Sequence, residues 1–294
     1  MNRFTFIDLF AGIGGFHLAM HELGGRCVYA SESDKYARLT YRENFYDISP
    51  KLFDDGMFRG DITKTENKRC VPTDADVLCA GFPCQPFSKM GKKLGFNDPR
   101  GTLFFDIAKI IQDKRPKAFF LENVPFLKNH DKGITFDTIK DKLTKDLGYS
   151  FFYKVIQAHE YGLPTIRGRL FMVGFRNDLN IMEFDFPKSV PLLYDMSDIF
   201  HGKCSRRLGL SIRVGGRNSG INNHRNWDMY LVDGVEHQIN LDEAKKMMGF
   251  PDDFIFPVSN TQAFKQLGNT VAVNPIKMVA VNIIKKVQAN EQIP

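Results

Sequence analysis

Paired cysteines are absent from this sequence. Its five cysteines are an odd number, and no two of them stand in a C-x-x-C spacing. This pattern argues against a disulfide framework or a zinc cluster and suits a reducing cytosol. The seven histidines show no spacing typical of metal ligands either. We therefore expect no bound metal.

Long apolar runs are also absent. No run approaches the roughly 18 residues of a membrane span. The opening stretch "MNRFTFIDLF" lacks the apolar core of a signal peptide and carries Asp8 among its apolar residues. Hydrophobic residues make up 43% of the chain and charged residues 25%, which is typical of a soluble globular protein. We expect a cytoplasmic protein that does not contact membranes.

Acidic residues are missing from one segment, residues 201–227, which we call the basic segment. It contains no Asp or Glu but six basic residues, namely Lys203, Arg206, Arg207, Arg213, Arg217 and Arg225. Taken alone, such a segment is most often a solvated face. It could equally contact the phosphates of a nucleic acid. The segment by itself leaves both interpretations open.

Repeats and low-complexity stretches are absent too, and apolar runs alternate instead with helical patterns. The runs predict buried strands at 4–9, 26–30, 76–80, 117–121, 151–157 and 169–175. Helical patterns lie between the first five of these, near 14–23, 34–45, 102–113 and 134–147. This alternation predicts an α/β fold with a doubly wound, mostly parallel sheet. The short connection from Gln157 to Arg169 has no helical period, so the last two strands should be antiparallel neighbours.

The pattern changes after residue 177. Residues 178–240 are rich in Gly, Asn and Arg, with only short β-like pieces such as "LSIRV" and "MYLV". A helix capped by Asn240 should follow at 241–248, and a last helix at 272–288 should return to the large domain. We therefore predict a large domain of residues 1–177 completed by 260–294, with a small irregular domain and hinge at 178–259.

The first strand runs directly into the glycine-rich stretch "AGIGG". Glycines between a strand and a helix let a ligand approach the helix N-terminus. A dinucleotide fingerprint would need a small residue where His17 stands, which disfavours a pyrophosphate. Glu32 ends the next strand, 20 residues after Gly12, where an acid can bind ribose hydroxyls. An adenosyl ligand without phosphates, such as S-adenosylmethionine, fits both observations.

Four reactive or charged residues should meet at the carboxyl edge of the sheet. Cys84 follows one predicted strand in "AGFPCQPFSKMG", where flanking prolines stiffen the loop. Glu122 follows the next strand, and Arg167 and Arg169 begin the antiparallel strand from the same edge. Ligands of open α/β sheets bind at this edge. Each residue alone has an ordinary structural interpretation, but the four together predict a catalytic site.

Seven stretches carry a family resemblance. They are, in order, "FIDLFAGIGGF", "GDIT", "GFPCQPFS", "RGTLFF", "ENV", "RGRLFMV" and "QLGNTVAVN", and they span nearly the whole chain outside 178–240. Together they resemble the DNA (cytosine-5) methyltransferases of bacterial restriction–modification systems. The resemblance implies the S-adenosylmethionine-dependent methyltransferase fold, with 178–259 as the target-recognition domain. It also implies S-adenosylhomocysteine as product, double-stranded DNA as partner, a cytoplasmic, nucleoid-associated monomer and a companion restriction endonuclease.

The resemblance assigns roles to individual residues. Cys84 would attack C6 of a cytosine flipped out of the duplex, and Glu122 would act at N3. Arg169 and Arg167 would steady the base and the carboxylate. The cofactor pocket would be lined by Phe10, Gly12, Gly14, Glu32, Asp61, Ile62, Pro83, Leu103, Asn269 and Val271. The chain departs from the family pattern at Ser33, where some members carry an aromatic residue that can stack on adenine.

DNA contacts are expected from Ser88 in the cysteine loop and from the six residues of the basic segment. Arg213 and Arg217 flank a glycine turn in "IRVGGRN" and are the expected base readers, because arginine can bond a guanine edge through two donors. Lys203, Arg206 and Arg207 are the expected phosphate contacts.

Three other functions remain open at this stage. Close relatives of the family methylate tRNA, although the basic segment and the bacterial-type motifs favour DNA. A nicotinamide dehydrogenase would leave both His17 and the cysteine loop unexplained. A catalytically inactive DNA-binding homologue is disfavoured because Cys84 and Glu122 are both present.

Overall fold

Seven strands form the main sheet in the part of the chain that the structure describes. The structure is a computed structural model, and it describes residues 4–83, 103–215 and 217–290. The strands of the sheet are β1 (Phe4–Leu9), β2 (Gly25–Ser31), β3 (Phe58–Arg59), β4 (Val77–Gly81), β5 (Ala118–Asn123), β6 (Phe152–Gln157) and β7 (Gly168–Phe175). Their order across the sheet is β3-β2-β1-β4-β5-β7-β6. Strand β7 runs antiparallel to both of its neighbours, whereas the remaining pairs are parallel.

Helices cover both faces of this sheet. The helices of the described residues are α1 (Gly15–Glu22), α2 (Lys35–Phe45), α3 (Pro50–Asp54), α4 (Thr65–Cys70), α5 (Leu103–Lys114), α6 (Ile134–Asp141), α7 (Met196–Phe200), α8 (Leu241–Met247), α9 (Asn260–Asn269) and α10 (Val273–Asn290). Of these, α7 and α8 lie in the small region between β7 and α9. The central strands β4 and β5 are almost entirely buried, because both of their faces lie under helices. Two hydrophobic clusters result, one including α1 and α10 and the other including α5 and α6.

The predicted fold class is confirmed. The six predicted strands and the four predicted helices of the large domain all form, and the last two long strands are antiparallel neighbours. The predicted helix at 134–147 is divided into α6 and a π-helical turn, Lys142–Asp146. Elements that the sequence did not reveal are short, such as β3, α3, α4 and α7, or weakly periodic, such as α9.

The small region between β7 and α9 holds α7, α8 and a hairpin of β8 (Met229–Val232) and β9 (Val235–Gln238). The piece "MYLV" is strand β8, whereas "LSIRV" forms no strand. Helix α8 begins with the predicted capping box, since Asn240 and Glu243 bond each other's backbone N–H groups. Buried residues of this region belong to the same cluster as α1 and α10, and its boundaries at 178 and 259 stay a prediction.

The α9–α10 stretch is apolar enough to resemble a membrane span. Within Asn260–Asn290 an 18-residue window reaches a mean hydropathy of 1.2, but 61% of that window is buried inside the protein. One face of α10 carries Ile276, Ala280, Ile283 and Val287, all buried. A core helix of a soluble protein has these properties. Helix α10 packs against α1, in agreement with the prediction that the last helix returns to the large domain.

Candidate active site

A cleft of about 690 Å³ opens at the carboxyl edge of the sheet. Its described walls come from the ends of β1, β2, β4 and β5, from the start of β7 and from helix α9. The cleft is lined by seven of the ten predicted cofactor residues, namely Phe10, Gly12, Glu32, Asp61, Pro83, Leu103 and Asn269. Glu122 and Arg169, two of the four predicted catalytic residues, line the same cleft.

The glycine loop orients Glu32 within this cleft. The backbone N–H of Gly12 donates to Glu32 Oε2 at 2.8 Å, and the N–H of Asp34 donates to Oε1 at 2.7 Å. Gly12 has a left-handed φ of 57°, and a side chain there would point into open space. Because one donor holds each oxygen, the remaining lone pairs of Glu32 are available to the hydroxyl groups of a ligand.

Three predicted cofactor residues do not appear among the described lining of the cleft. Gly14 is the N-cap of α1 with a φ of 87°, and a Cβ at this position would lie 2.2 Å from the Phe45 ring. Ile62 is buried. Val271 packs against Gly15, whose added Cβ would lie 2.7 Å from the valine side chain. Each of the three is the chain neighbour of a residue that does line the cleft, namely Ile13, Asp61 and Thr270.

Glu122 lies near the end of β5 and is 7% exposed. Its Oε1 is 2.7 Å from Nε of Arg169. Arg169 is the second residue of β7, which is the antiparallel neighbour of β5. Burial raises the pKa of Glu122, while Arg169 and Arg167 act in the opposite direction, and the net shift is upward. A Cβ on Gly81 would lie 3.3 Å from Glu122 Oε2, so the glycine leaves room beside the carboxyl group. The pair can therefore present either a protonated or an ionised carboxyl to a ligand.

Arg167 has a different environment from Arg169. It is 2% exposed and does not appear among the described residues that line the cleft. Its guanidinium donates to the carbonyl oxygens of Gly268 at 2.9 Å, of Thr270 and of Ile212 at 3.4 Å. Burial and the neighbouring Arg169 lower the pKa of Arg167 to about 9, against the influence of Glu122. Arg167 thus ties the "QLGNT" stretch to the basic segment, and its predicted contact with the base stays a prediction.

Asn123 is a functional candidate that the sequence did not single out, although it belongs to the "ENV" stretch. Its Nδ2 donates to the carbonyl oxygen of Phe82 at 2.9 Å, and its Oδ1 accepts from the N–H of Val124 at 2.9 Å. It therefore fixes the chain directly before Pro83 against the end of β5. Pro83 and Leu103, which flank residues 84–102, both line the cleft. Cys84 and Ser88 lie outside the described residues.

Helix α9 contributes a wall that was also missed. Gln262, Lys265 and Gln266 line the cleft at helical spacing, and Ser259 caps the helix by accepting from the N–H of Gln262. The signal in the sequence was weak because Ala263, Phe264 and Leu267 are the only apolar residues of α9. The serine cap three residues before Gln262 was the available indication.

The basic segment touches α9 through its backbone and one arginine. A Cβ on Gly268 would lie 3.0 Å from backbone atoms of Arg213 and Val214. Arg217 is half-buried, with its guanidinium 3.8 Å from the centre of the Phe264 ring and its Nε 3.8 Å from the buried Asp228. Within the basic segment, Trp227 Nε1 donates a hydrogen bond to the carbonyl oxygen of Gly215 at 2.9 Å.

The other predicted DNA contacts are placed on the surface. Lys203, Arg206, Arg207, Arg213 and Arg225 are all exposed. Arg217 is thus the one basic residue of the segment that packs into the protein. Within the described ranges no group of three or more His, Cys, Asp or Glu residues could hold a metal ion.

Comparison with known proteins relates this chain to one enzyme family. The family model for C-5 cytosine-specific DNA methylases matches residues 4–209 and 203–285. The chain is 40% identical to the Type II methyltransferase M.HpaII of Haemophilus parainfluenzae, covering 97% of this chain and 90% of that protein. It is also 40% identical to the Type II methyltransferase M.HhaI of Haemophilus parahaemolyticus, covering 95% and 93% respectively.

Solved structures share the fold at lower identity. A DNMT2 variant from Spodoptera frugiperda superimposes with a TM-score of 0.70 at 19% identity, covering 96% of this chain and 99% of that one. A prophage-encoded putative DNA modification methyltransferase from E. coli gives 0.69 at 19% identity, covering 97% and 99%. With the sequence matches, these findings show that the chain belongs to the C-5 cytosine-specific DNA methylase family and is a DNA (cytosine-5) methyltransferase.

Proposed function

We propose that this enzyme transfers a methyl group from S-adenosylmethionine to C5 of a cytosine within one short duplex sequence. The reaction would pass through base flipping and a covalent bond between Cys84 and C6. The observation that carries this proposal is the buried pair of Glu122 and Arg169, which faces the same cleft as Glu32. An acid–base group and a ribose-binding acid in one cleft are what methyl transfer to a ring carbon needs.

The residues of the cleft fit S-adenosylmethionine. Gly12 leaves open space above the loop, and Glu32 is oriented to accept from ribose hydroxyls. Asp61 is held by the N–H and hydroxyl of Thr63, at 2.9 and 2.8 Å, with its second oxygen available for a donor on the ligand. When bound, S-adenosylmethionine supplies an electrophilic methyl group on a sulfonium ion. Its product would be S-adenosylhomocysteine, and no metal is required.

Cytosine C5 is too weak a nucleophile to accept a methyl group unaided. The Cys84 thiolate would add to C6, forming an S–C bond and moving an electron pair toward C5. After C5 has taken the methyl group, a base removes the C5 proton. The electron pair released then expels the thiolate and restores the aromatic ring. The prolines beside Cys84 would hold the nucleophile in a fixed position for this attack.

Glu122 would neutralise the charge that the attack creates. Thiolate addition increases electron density at N3, and the raised pKa of Glu122 would favour donation of a proton there. Arg169 would hold the carboxyl group in place through its Nε. None of these contacts can form inside a stacked duplex, so the target base has to leave the helix.

The small region would recognise the DNA. Five exposed basic residues are available for phosphates and base edges, and the Arg167 and Gly268 contacts hold the segment next to the cleft. The curated relatives named as Type II methyltransferases support DNA as substrate and a restriction endonuclease as the functional partner. We further propose that the enzyme acts as a monomer in the cytoplasm and associates there with the nucleoid through DNA.

A methylation assay tests this function. The protein is incubated with S-adenosylmethionine and a plasmid of mixed sequence, and the modified bases are mapped. We expect 5-methylcytosine at one recurring short sequence, and no product from Cys84→Ala. The same assay with tRNA tests the alternative substrate. Methylation of tRNA without methylation of the plasmid would overturn the proposal.

A further inference from the structure

The ribose-binding acid of this chain is followed by a small residue. Ser33 stands between Glu32 and Asp34, is exposed, and lines the cleft. A serine offers almost no apolar surface to the face of a purine. The side of the cleft next to Glu32 therefore requires another group to cover a bound nucleoside.

Helix α9 packs against α2, since the Thr40 hydroxyl of α2 donates to Gln266 Oε1 of α9 at 2.9 Å. Lys265 lines the same cleft as Ser33 and Ala37, and its Nζ lies 3.6 Å from Oδ2 of Asp34. Asp34 is itself fixed, because its Oδ1 caps α2 by accepting from Tyr36 and Ala37 N–H groups at 2.9 and 3.0 Å. The ion pair therefore stretches the lysine side chain from α9 to the N-terminus of α2. Both ends of this bridge belong to rigid elements.

Long lysine side chains cover apolar surface with their methylene groups while the ammonium group stays in water. The Lys265 side chain is 43% exposed, so its stem is accessible to a ligand in the cleft. We propose that the stem of Lys265, pinned by Asp34, covers the nucleoside part of the bound cofactor in place of an aromatic side chain at residue 33. This inference rests on the proposed use of S-adenosylmethionine.

Binding of S-adenosylhomocysteine and of adenosine, measured by calorimetry, tests this role without any turnover. Lys265→Ala should weaken both ligands by about fivefold, the scale of uncovering one or two methylene groups. Lys265→Met keeps an unbranched stem but cannot pair with Asp34, so its affinity for both ligands should lie between those of the wild type and Lys265→Ala. The matched control is Lys277→Ala, because Lys277 pairs with Glu22 at 2.5 Å with similar exposure but does not line the cleft.

Three results would overturn the inference. Lys265→Ala could bind both ligands as tightly as the wild type. Lys265→Met could lose as much affinity as Lys265→Ala, which would assign the effect to the charge. Adenosine could be unaffected while S-adenosylhomocysteine binding falls, which would place the contact on the amino-acid part. If the wild type bound neither ligand, the proposed cofactor itself would be wrong, so the two failures are distinguishable.

Discussion

Arg169 and Glu122 form an ion pair across two neighbouring strands, with Nε 2.7 Å from Oε1. The strands run antiparallel, so the residue near the end of β5 meets one near the start of β7. Burial of the carboxyl group raises its pKa, and the arginines limit this rise. The pair therefore holds a carboxyl group with a raised pKa and a guanidinium group together at the edge of the cleft.

Glu122→Gln should lower the rate of methyl transfer by about a hundredfold or more, because an amide cannot supply the proton to N3. Binding of S-adenosylhomocysteine should change little. Single-turnover rates and calorimetry measure the two properties separately. Glu66→Gln, which changes an exposed carboxyl on α4, is the control. Equal losses of rate and cofactor binding in Glu122→Gln would indicate a structural role.

A duplex carrying 5-fluorocytosine at the target position should trap the enzyme through Cys84. Fluorine cannot leave C5 as a proton does, so the bond between sulfur and C6 should persist. Electrophoresis under denaturing conditions detects the adduct. Cys84→Ala should form none, whereas Cys79→Ala, which removes a buried cysteine of β4, should still form it. An adduct with Cys84→Ala would show that the nucleophile is another residue.

The basic residues should separate into two classes. Arg206→Ala and Arg207→Ala should weaken binding to target and random duplexes alike, and should reduce the salt slope by about one unit per phosphate contact. Arg213→Ala should cost about 1–3 kcal/mol on the target sequence and little on random DNA. Binding measured across a salt series distinguishes these outcomes. Unchanged affinity and slope in every variant would leave the basic segment as a solvated face.

Arg217→Ala should behave differently from the exposed arginines. Its guanidinium packs on Phe264 and lies near the buried Asp228, so its loss should also lower the stability of the folded protein. Thermal unfolding compares it with Arg225→Ala, whose arginine is exposed. A melting temperature identical to that of Arg225→Ala would contradict the packing role. Base reading by Arg217 remains a prediction that the same DNA-binding series tests.

Acid should destabilise the fold through His17. This residue is buried, its Nδ1 is 2.6 Å from the Tyr41 hydroxyl, and burial lowers its pKa to about 3. The unfolded chain takes up the proton near pH 6.5, so stability is full above that pH and falls as pH decreases toward 3. At pH 5 the loss should be about 2 kcal/mol.

Urea unfolding at pH 7 and pH 5 measures this loss. His17→Phe should reduce the difference between the two conditions, because the aromatic ring can still stack on Phe45 without titrating. His224→Gln, which alters an exposed histidine, serves as the control. An unchanged difference in His17→Phe would show that other groups cause the acid sensitivity.

Much of the architecture could be predicted because its signals are local. The buried central strands appear as continuous apolar runs. The connection between β6 and β7 is short and has no helical period, which indicated that β7 runs antiparallel to β6. Helix α9 was missed because its apolar residues are few, and its burial depends on packing against distant parts of the chain. Its Gln266, for example, accepts a hydrogen bond from Thr40, 226 residues away.

For the candidate site too, some features could be predicted from the sequence and others depended on the tertiary structure. The sequence by itself indicated the family, through motifs that carry the glycine loop, Cys84, Glu122 and the arginine pair, because each of these motifs joins reactive residues to the end of a predicted strand. Only the tertiary structure separated Arg169, which meets Glu122, from Arg167, which binds the carbonyl oxygens of Gly268 and Thr270. Both arginines stand in one tripeptide, but Arg167 precedes β7 whereas Arg169 lies within it. The carbonyl groups of Gly268 and Thr270 that accept from Arg167 lie more than a hundred residues further along the chain. The same holds for Lys265 and Asp34, whose contact depends on how α9 packs against α2.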